Sequence, residues 1–352
     1  WITSRGLGDV YKRQELTTAQ LDELVELRPQ LANDPRFVDI KLSKLRPGED
    51  ESIELSLETK SAYIDRLWSY VEGLDPVFNS LKVNVLYQKL ELAYKRGEYP
   101  SELFMDYLAL PRAVPYVEPR YLQRRELKGF TANIGENFSK QIGFGPIRND
   151  EPLVRAYLEH FLKEDENYNR FSPFVRESYL ESVFAETKLL HGIGDAQRWF
   201  SMLSPGRVQA IKDRIEISFA PINAAEFAVK DDINLALDLK NVSELIVKVY
   251  EINSLNYYLD QEREISTDLK LDGLIANEEL TYRYDQAPIL RHREAFSFDT
   301  LKNRRGVWVI EFIGNGISSR ALVRKGKLQH LSESTPGGEL AVSYTHLRAH
   351  ET

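Results

Sequence analysis

Apolar residues return every three to four positions through the first part of the chain and every second position in the last third, so the sequence predicts helices followed by a sheet domain. Thr17 and Gln20 make a capping-box pattern ahead of Leu21, Leu24 and Val25. A second helix is expected from about Thr59, with Tyr63, Ile64, Leu67 and Val71 along one side and Gly73 at its end. Asp75 and Pro76 supply a cap and a first-turn proline for a third, whose Phe78, Leu81, Val85, Leu86, Leu90 and Ala93 face inward and whose stop is Gly97. A short helix over 102–108 ends before Pro111. Asp150 and Pro152 open the next, with Leu153, Val154, Tyr157, Leu158 and Phe161 as its stripe. Ser172 and Pro173 open another that buries Phe174, Val175, Tyr179, Leu180 and Val183, reaches Leu190 and stops at Gly192. No fixed repeat period is present.

The rhythm changes after Ser204 and Pro205. Ile215, Ile217 and Phe219 alternate with polar residues, then Ile233, Leu235, Leu237 and Leu239, then Leu245, Val247 and Val249 on into Tyr250, Ile252, Tyr257 and Tyr258. Further strands are expected over 279–284, around Phe296 and Phe298, over 307–313 and over 317–323, the last two joined by Gly314, Asn315 and Gly316 as a tight hairpin. The expected fold class is α+β and multidomain: helical regions at 15–110 and 150–204 around a loop-rich connection at 111–149, an antiparallel seven-stranded β-sandwich over 205–330, and a linker at 331–341. Residues 1–14 and 342–352 resemble translated sequencing-adapter sequence of the kind that flanks metagenomic fragments, and are set apart from the fold; a signal peptide upstream of them would not be visible.

Composition narrows the functional classes. With 352 residues, 42% hydrophobic and 28% charged, the chain has material for two or three folding units. No apolar run approaches a membrane span, so no membrane insertion is expected. A net charge of −8 argues against nucleic acid as a partner. The absence of cysteine removes disulfides, thiolate metal sites and cysteine nucleophiles. Charge is distributed unevenly: residues 225–285 carry six basic and fourteen acidic side chains, and 286–328 carry nine basic and three acidic. Cross-strand pairing within the sandwich accounts for this split more simply than a basic face for a partner.

The segment DDINLALDLKNVSELIVKVYEIN at 231–253, followed by RRGVWVIEFIGNG at 304–316, resembles the macroglobulin-type β-sandwich of the alpha-2-macroglobulin family over about residues 214–328. The resemblance implies a macroglobulin or fibronectin III-like sandwich within a large secreted or envelope-attached bacterial-type protein, some members of which trap proteases through a thioester. That thioester needs a Cys-Gly-Glu-Gln arrangement, and this chain has no cysteine.

Catalytic patterns are missing. His160, His191, His292 and His330 have no metal-ligand spacing, and the first two suit helix C-termini. Gly143, Phe144 and Gly145 lack the lysine and frame of a phosphate loop and read as a turn; Asp268, Asp272 and Gly273 lack calcium-loop spacing. Ser318 and Ser319 follow a hairpin turn without a nucleophile elbow, and Asp231 with Asp232 or Glu278 with Glu279 would point to opposite faces. Trp308 alternates in register with Ile310 and Phe312 and belongs in a core. Tyr257, Tyr258, Arg291 and Arg293 are the candidate interaction surface. The expected function is therefore a non-enzymatic structural or interaction module of a macroglobulin-like protein, without cofactor or metal. Its partner would be another protein or the rest of its own chain, and the resemblance favours an extracellular or envelope location. The alternative is the accessory front of a hydrolase whose catalytic domain lies elsewhere; a cytosolic helical scaffold is a third reading.

Overall fold

Side-chain caps set most helix starts. The computed structural model describes residues 16–48, 53, 56–224, 226–263, 265–271, 273–326, 329–335 and 338–344. It divides into two compact units, Trp1–Thr187 and Lys188–Thr352. In the first, Thr17 and Gln20 exchange both capping-box bonds ahead of the helix Thr18–Leu27. Asp34 accepts from the Phe37 amide, and with Pro35 in the first turn it starts the helix Pro35–Leu45. Ser56 caps Leu57–Val71, whose buried Tyr63, Ile64, Leu67 and Val71 pack with Val38, Leu42, Leu81 and Val85 in one core. Asp75 and Pro76 begin a 3-10 turn, Pro76–Phe78, which leads into Asn79–Lys95. The helices Ser101–Ala109, Glu151–Glu164 and Glu177–Leu190 follow.

The loop-rich segment 111–149 is held by isolated pairings, Arg112 with Ala132, Val117 with Val175 and Phe138 with Phe144. These pairings explain one departure from expectation. The helix expected from Ser172 begins at Glu177, because residues 171–174 turn and Val175 bridges Val117: Glu118 N donates to the Phe174 carbonyl and Arg176 N to the Tyr116 carbonyl, both at 2.9 Å. Gly143, at φ 79°, is the left-handed end of the short helix Ser139–Ile142, which is the turn its neighbours imply.

In the second unit two short helices, Ala196–Ser201 and Pro205–Asp213, precede the sheets. Alternation therefore becomes strand only at β1, Glu216–Phe219. β2 (Asn234–Lys240) and β3 (Glu244–Ile252) follow, then β4 (Glu278–Arg283) and β5 (Arg291–Ser297), then β6 (Gly306–Gly314) and β7 (Ile317–Lys325). These seven strands form two antiparallel sheets, ordered β1-β2-β5 and β4-β3-β6-β7, so the α+β class with a seven-stranded sandwich is what the chain adopts. Leu235, Leu237 and Leu239 of one sheet meet Leu245, Val247, Val249, Ile310 and Phe312 of the other, around a Trp308 that is 1% exposed. At the β6–β7 hairpin Gly314 faces Ile317, and Asn315 and Gly316 take φ of 45° and 82° as the two-residue turn. Past β7, β8 (Gln329–Thr335) and β9 (Gly338–Tyr344) pair as a separate two-stranded ribbon within the stretch that reads as linker and tail.

Candidate functional site

Tyr257 and Tyr258 do not continue β3. The strand ends at Ile252, and the residues between β3 and β4 form an insertion that opens with the helix Ser254–Gln261, capped by Asn253. Asn253 accepts from the Asn256 amide at 3.0 Å, and Glu262 at φ 51° closes the helix in the left-handed region. The insertion lies on the outer face of the four-stranded sheet. Its Ile265, Leu269 and Leu271 bury with Tyr250 and Val309, and Tyr257 packs against that group. Two arginines of β7 tie it down: Arg320 donates to the Leu269 carbonyl at 2.8 Å and Arg324 to the Ile265 carbonyl at 2.7 Å. The opposite side of the helix is apolar and open, with Leu255, Tyr258 and Leu259 all exposed. Their spacing, i, i+3 and i+4, is a helical signal already present in the sequence, though the alternation before it points to strand.

Arg291 and Arg293 stand elsewhere, on β5 at the outer face of the three-stranded sheet. The structure does not bring them to the tyrosines. Each guanidinium grips a carboxylate at two points: Arg291 on Glu216 at 2.7 and 3.2 Å, Arg293 on Asp238 at 2.7 and 2.8 Å. Asp238 lies directly opposite Arg293 in the β2–β5 register, so the pair is a cross-strand clamp. Lys302 with Asp232 and Arg304 with Glu251 repeat the pattern, matching late basic residues to earlier acidic ones. Next to the Arg291 clamp, Lys240 is wholly buried and donates to the Arg214 carbonyl at 2.8 Å; burial lowers its pKa, and Glu216 offsets part of that.

The densest buried polar cluster belongs to the helical unit. Asp150 Oδ2 accepts from the Tyr107 hydroxyl at 2.8 Å and the Tyr116 hydroxyl at 2.6 Å, and stands 3.0 Å from Arg112 Nε. Arg112 also donates to the Leu110 carbonyl at 2.8 Å and lies over the Tyr107 ring. Burial raises the Tyr107 hydroxyl pKa well above its ordinary value. Three segments meet at this carboxylate, the helix Ser101–Ala109, the connection that carries Arg112 and Tyr116, and the start of the helix Glu151–Glu164, so the arrangement ties the loop-rich connection to both helices.

The other sequence candidates are structural in place. His160 stacks flat on Tyr99 with ring centroids 3.7 Å apart. Ser319 Oγ donates to the Ile217 carbonyl. Asp268 accepts from the Ser266 hydroxyl; Asp272 and the side chain of His330 lie outside the described residues. Among the described residues no helix is long and apolar enough to cross a membrane.

Two family models match the chain: the actin-binding protein F N-terminal domain over residues 3–215, and the first immunoglobulin-like domain of AbpF over 245–326. Actin-binding protein F of Dictyostelium discoideum is 32% identical over 338 residues, which is 95% of this chain and 14% of that protein. The chain thus spans about a seventh of the length of its relative. No solved structure matches. These matches overturn the alpha-2-macroglobulin resemblance. An acidic turn, an alternating strand and a glycine-aromatic strand are common to antiparallel sandwiches generally, so they identify the layering and not the lineage. The expectations that hung on that resemblance fall with it, namely a secreted or envelope module linked to protease inhibition and an extracellular or envelope location. The hydrolase front end has no support in either match.

Proposed function

The chain belongs to the actin-binding protein F N-terminal domain family, and from that premise we propose that it is a non-catalytic module through which a larger cytoskeletal protein engages actin. The observation that carries this reading is the 32% identity extending over 95% of the chain, helical unit and sandwich together. An actin partner implies action inside the cell, at the cytoskeleton.

The side chains support a binding rather than a chemical role. The buried carboxylates Asp150 and Glu186 are paired with Arg112 and Arg155, and the buried amine of Lys325 is held by the carbonyls of Asp231 and Leu301. Of the four residues marked in the sequence, Tyr258 offers open apolar area, and Tyr257 is the root on which its helix rests. Arg291 and Arg293 set the charge register of their sheet through Glu216 and Asp238. The test is single-filament fluorescence imaging with the labelled chain: decoration of filamentous actin that rises to a plateau with concentration is expected. Filaments that stay bare while the labelled chain remains folded would overturn the reading.

A further inference from the structure

Two segments of the helical unit face each other across a polar cleft of about 610 Å³. One wall is the connection after Glu118, with Arg120 and Arg124; the other is the turn before the helix Glu177–Leu190, with Tyr168 and Ser172. The walls are fixed to each other. Glu118 N donates to the Phe174 carbonyl at 2.9 Å, and the Tyr121 and Phe174 rings meet edge to face with centroids 5.2 Å apart. Residues 120–128 carry four basic side chains and one acidic, and Arg120, Arg124, Arg125 and Lys128 are all exposed. The carboxylates of the cleft leave these charges unused. Glu118 accepts from the Arg120 amide at 3.2 Å, Glu177 lies in the first turn of its helix, and among the described residues neither Arg120 nor Arg124 has an ion pair. Arg124 rests over the Tyr121 ring instead, 5.0 Å from its centroid. Two guanidinium groups on one wall, without carboxylate partners, suit a phosphate monoester, which each can grip at two points.

Ser172 is the group on the facing wall that can carry one. It is exposed and precedes Pro173, and Ser-Pro is the dipeptide that proline-directed protein kinases select. Its hydroxyl donates to the Asn169 carbonyl at 2.8 Å. Pro173 contributes no amide to the turn, so few bonds need to open for the dipeptide to extend into a kinase. The same dipeptide at Ser204-Pro205 is differently placed, since Ser204 Oγ accepts the Arg207 amide as a helix cap.

We propose that Ser172 is a phosphorylation site for a proline-directed protein kinase and that its phosphate docks on Arg120 and Arg124. In the transfer the bond between Ser172 Oγ and the γ-phosphorus of ATP forms while the bond from that phosphorus to its bridging oxygen breaks. ADP leaves, and the hydroxyl proton passes to the base of the kinase. Loss of that proton ends the bond to the Asn169 carbonyl, which releases the side chain toward the cleft. A phosphate of about two negative charges then makes charge-assisted hydrogen bonds to the facing arginines and clamps the loop-rich connection onto the turn. The inference concerns the helical unit and does not depend on actin engagement.

The test is incubation of the folded 352-residue chain with a proline-directed kinase and ATP, the site being assigned by peptide mass. Phosphate at Ser172 is expected, and S172A should lose it. The phosphorylated chain is then treated with a phosphatase. Release from Ser172 should be about tenfold slower than from a phosphorylated chain carrying R120Q with R124Q, two exposed positions at which the substitution leaves the fold intact. Phosphate absent from Ser172, or found at Ser204 and not at Ser172, would overturn the assignment of the site. Equal release from the two phosphorylated chains would overturn the docking on Arg120 and Arg124.

Discussion

Replacing Asp150 by alanine leaves the Arg112 guanidinium buried beside no carboxylate, and the structure indicates a large cost. Arg112 is 0% exposed and Asp150 1%, so solvent does not screen the pair. Breaking a buried ion pair from one side costs about 3–5 kcal/mol, because the remaining charge keeps its desolvation penalty. The hydroxyls of Tyr107 and Tyr116 lose their acceptor as well, which places the expected loss in the upper half of that span. Domain stability is typically about 5–15 kcal/mol, so the helical unit of D150A should unfold at markedly lower urea. The measurement is urea unfolding followed by helical ellipticity, with hydrogen exchange in Ser101–Ala109 and Glu151–Glu164 to assign the transition. Removing both charges, as in D150L with R112M, should cost less than D150A alone, since apolar replacement of a buried pair is close to neutral. A D150A loss of about 1 kcal/mol or less, or a double substitution that costs the plain sum of the two singles, would refute the reasoning.

Other consequences are local. At Gly314 an added Cβ would sit 2.7 Å from Val242 Cγ1 and 3.1 Å from the Glu244 carbonyl oxygen, so G314A should cost about 1–3 kcal/mol in thermal or urea unfolding of the sandwich, and an unchanged midpoint would contradict the packing. Burial and then Lys163 lower the His160 pKa below its ordinary 6.5, against Glu164, which raises it. A depressed imidazole gives a contribution present above the unfolded pKa and lost as pH falls through the folded one, so stability should decline below about pH 6.5 and K163Q should move the NMR titration of His160 upward. Because Arg293 is half exposed, R293A should change stability by no more than about 1 kcal/mol despite its two-point grip on Asp238, and a larger loss in urea unfolding would contradict that.

Cap chemistry made much of the helical unit legible. Thr17 with Gln20 marks a start from sequence alone, and Asp75 with Pro76 marks one that the chain reaches through a 3-10 turn. Asp34 and Pro35 carry the same signal for a helix that the apolar pattern did not single out. The start expected at Ser172 is displaced to Glu177 by pairing with residues 116–118, a long-range contact invisible to a local pattern. In the sandwich, alternation located seven strands, and the Asn315-Gly316 turn emerged as expected. It misled at Tyr257 and Tyr258, where the period changes from two to three or four within a few residues of Ile252 and a run of tyrosines suits either structure. The separation of these tyrosines from Arg291 and Arg293 depends on which sheet each segment joins, and strand order is not written in the period of any one strand. Lineage was the least legible feature, since the same alternation serves unrelated sandwiches.

Engagement of actin is the claim on which the functional account depends. A pelleting titration tests it most directly: a fixed amount of the 352-residue chain is spun with increasing filamentous actin, and the fraction in the pellet should rise along a saturable curve that weakens with salt only as far as charged contacts contribute. A pelleted fraction equal to that without filaments, at every actin concentration and with the chain folded, would contradict it.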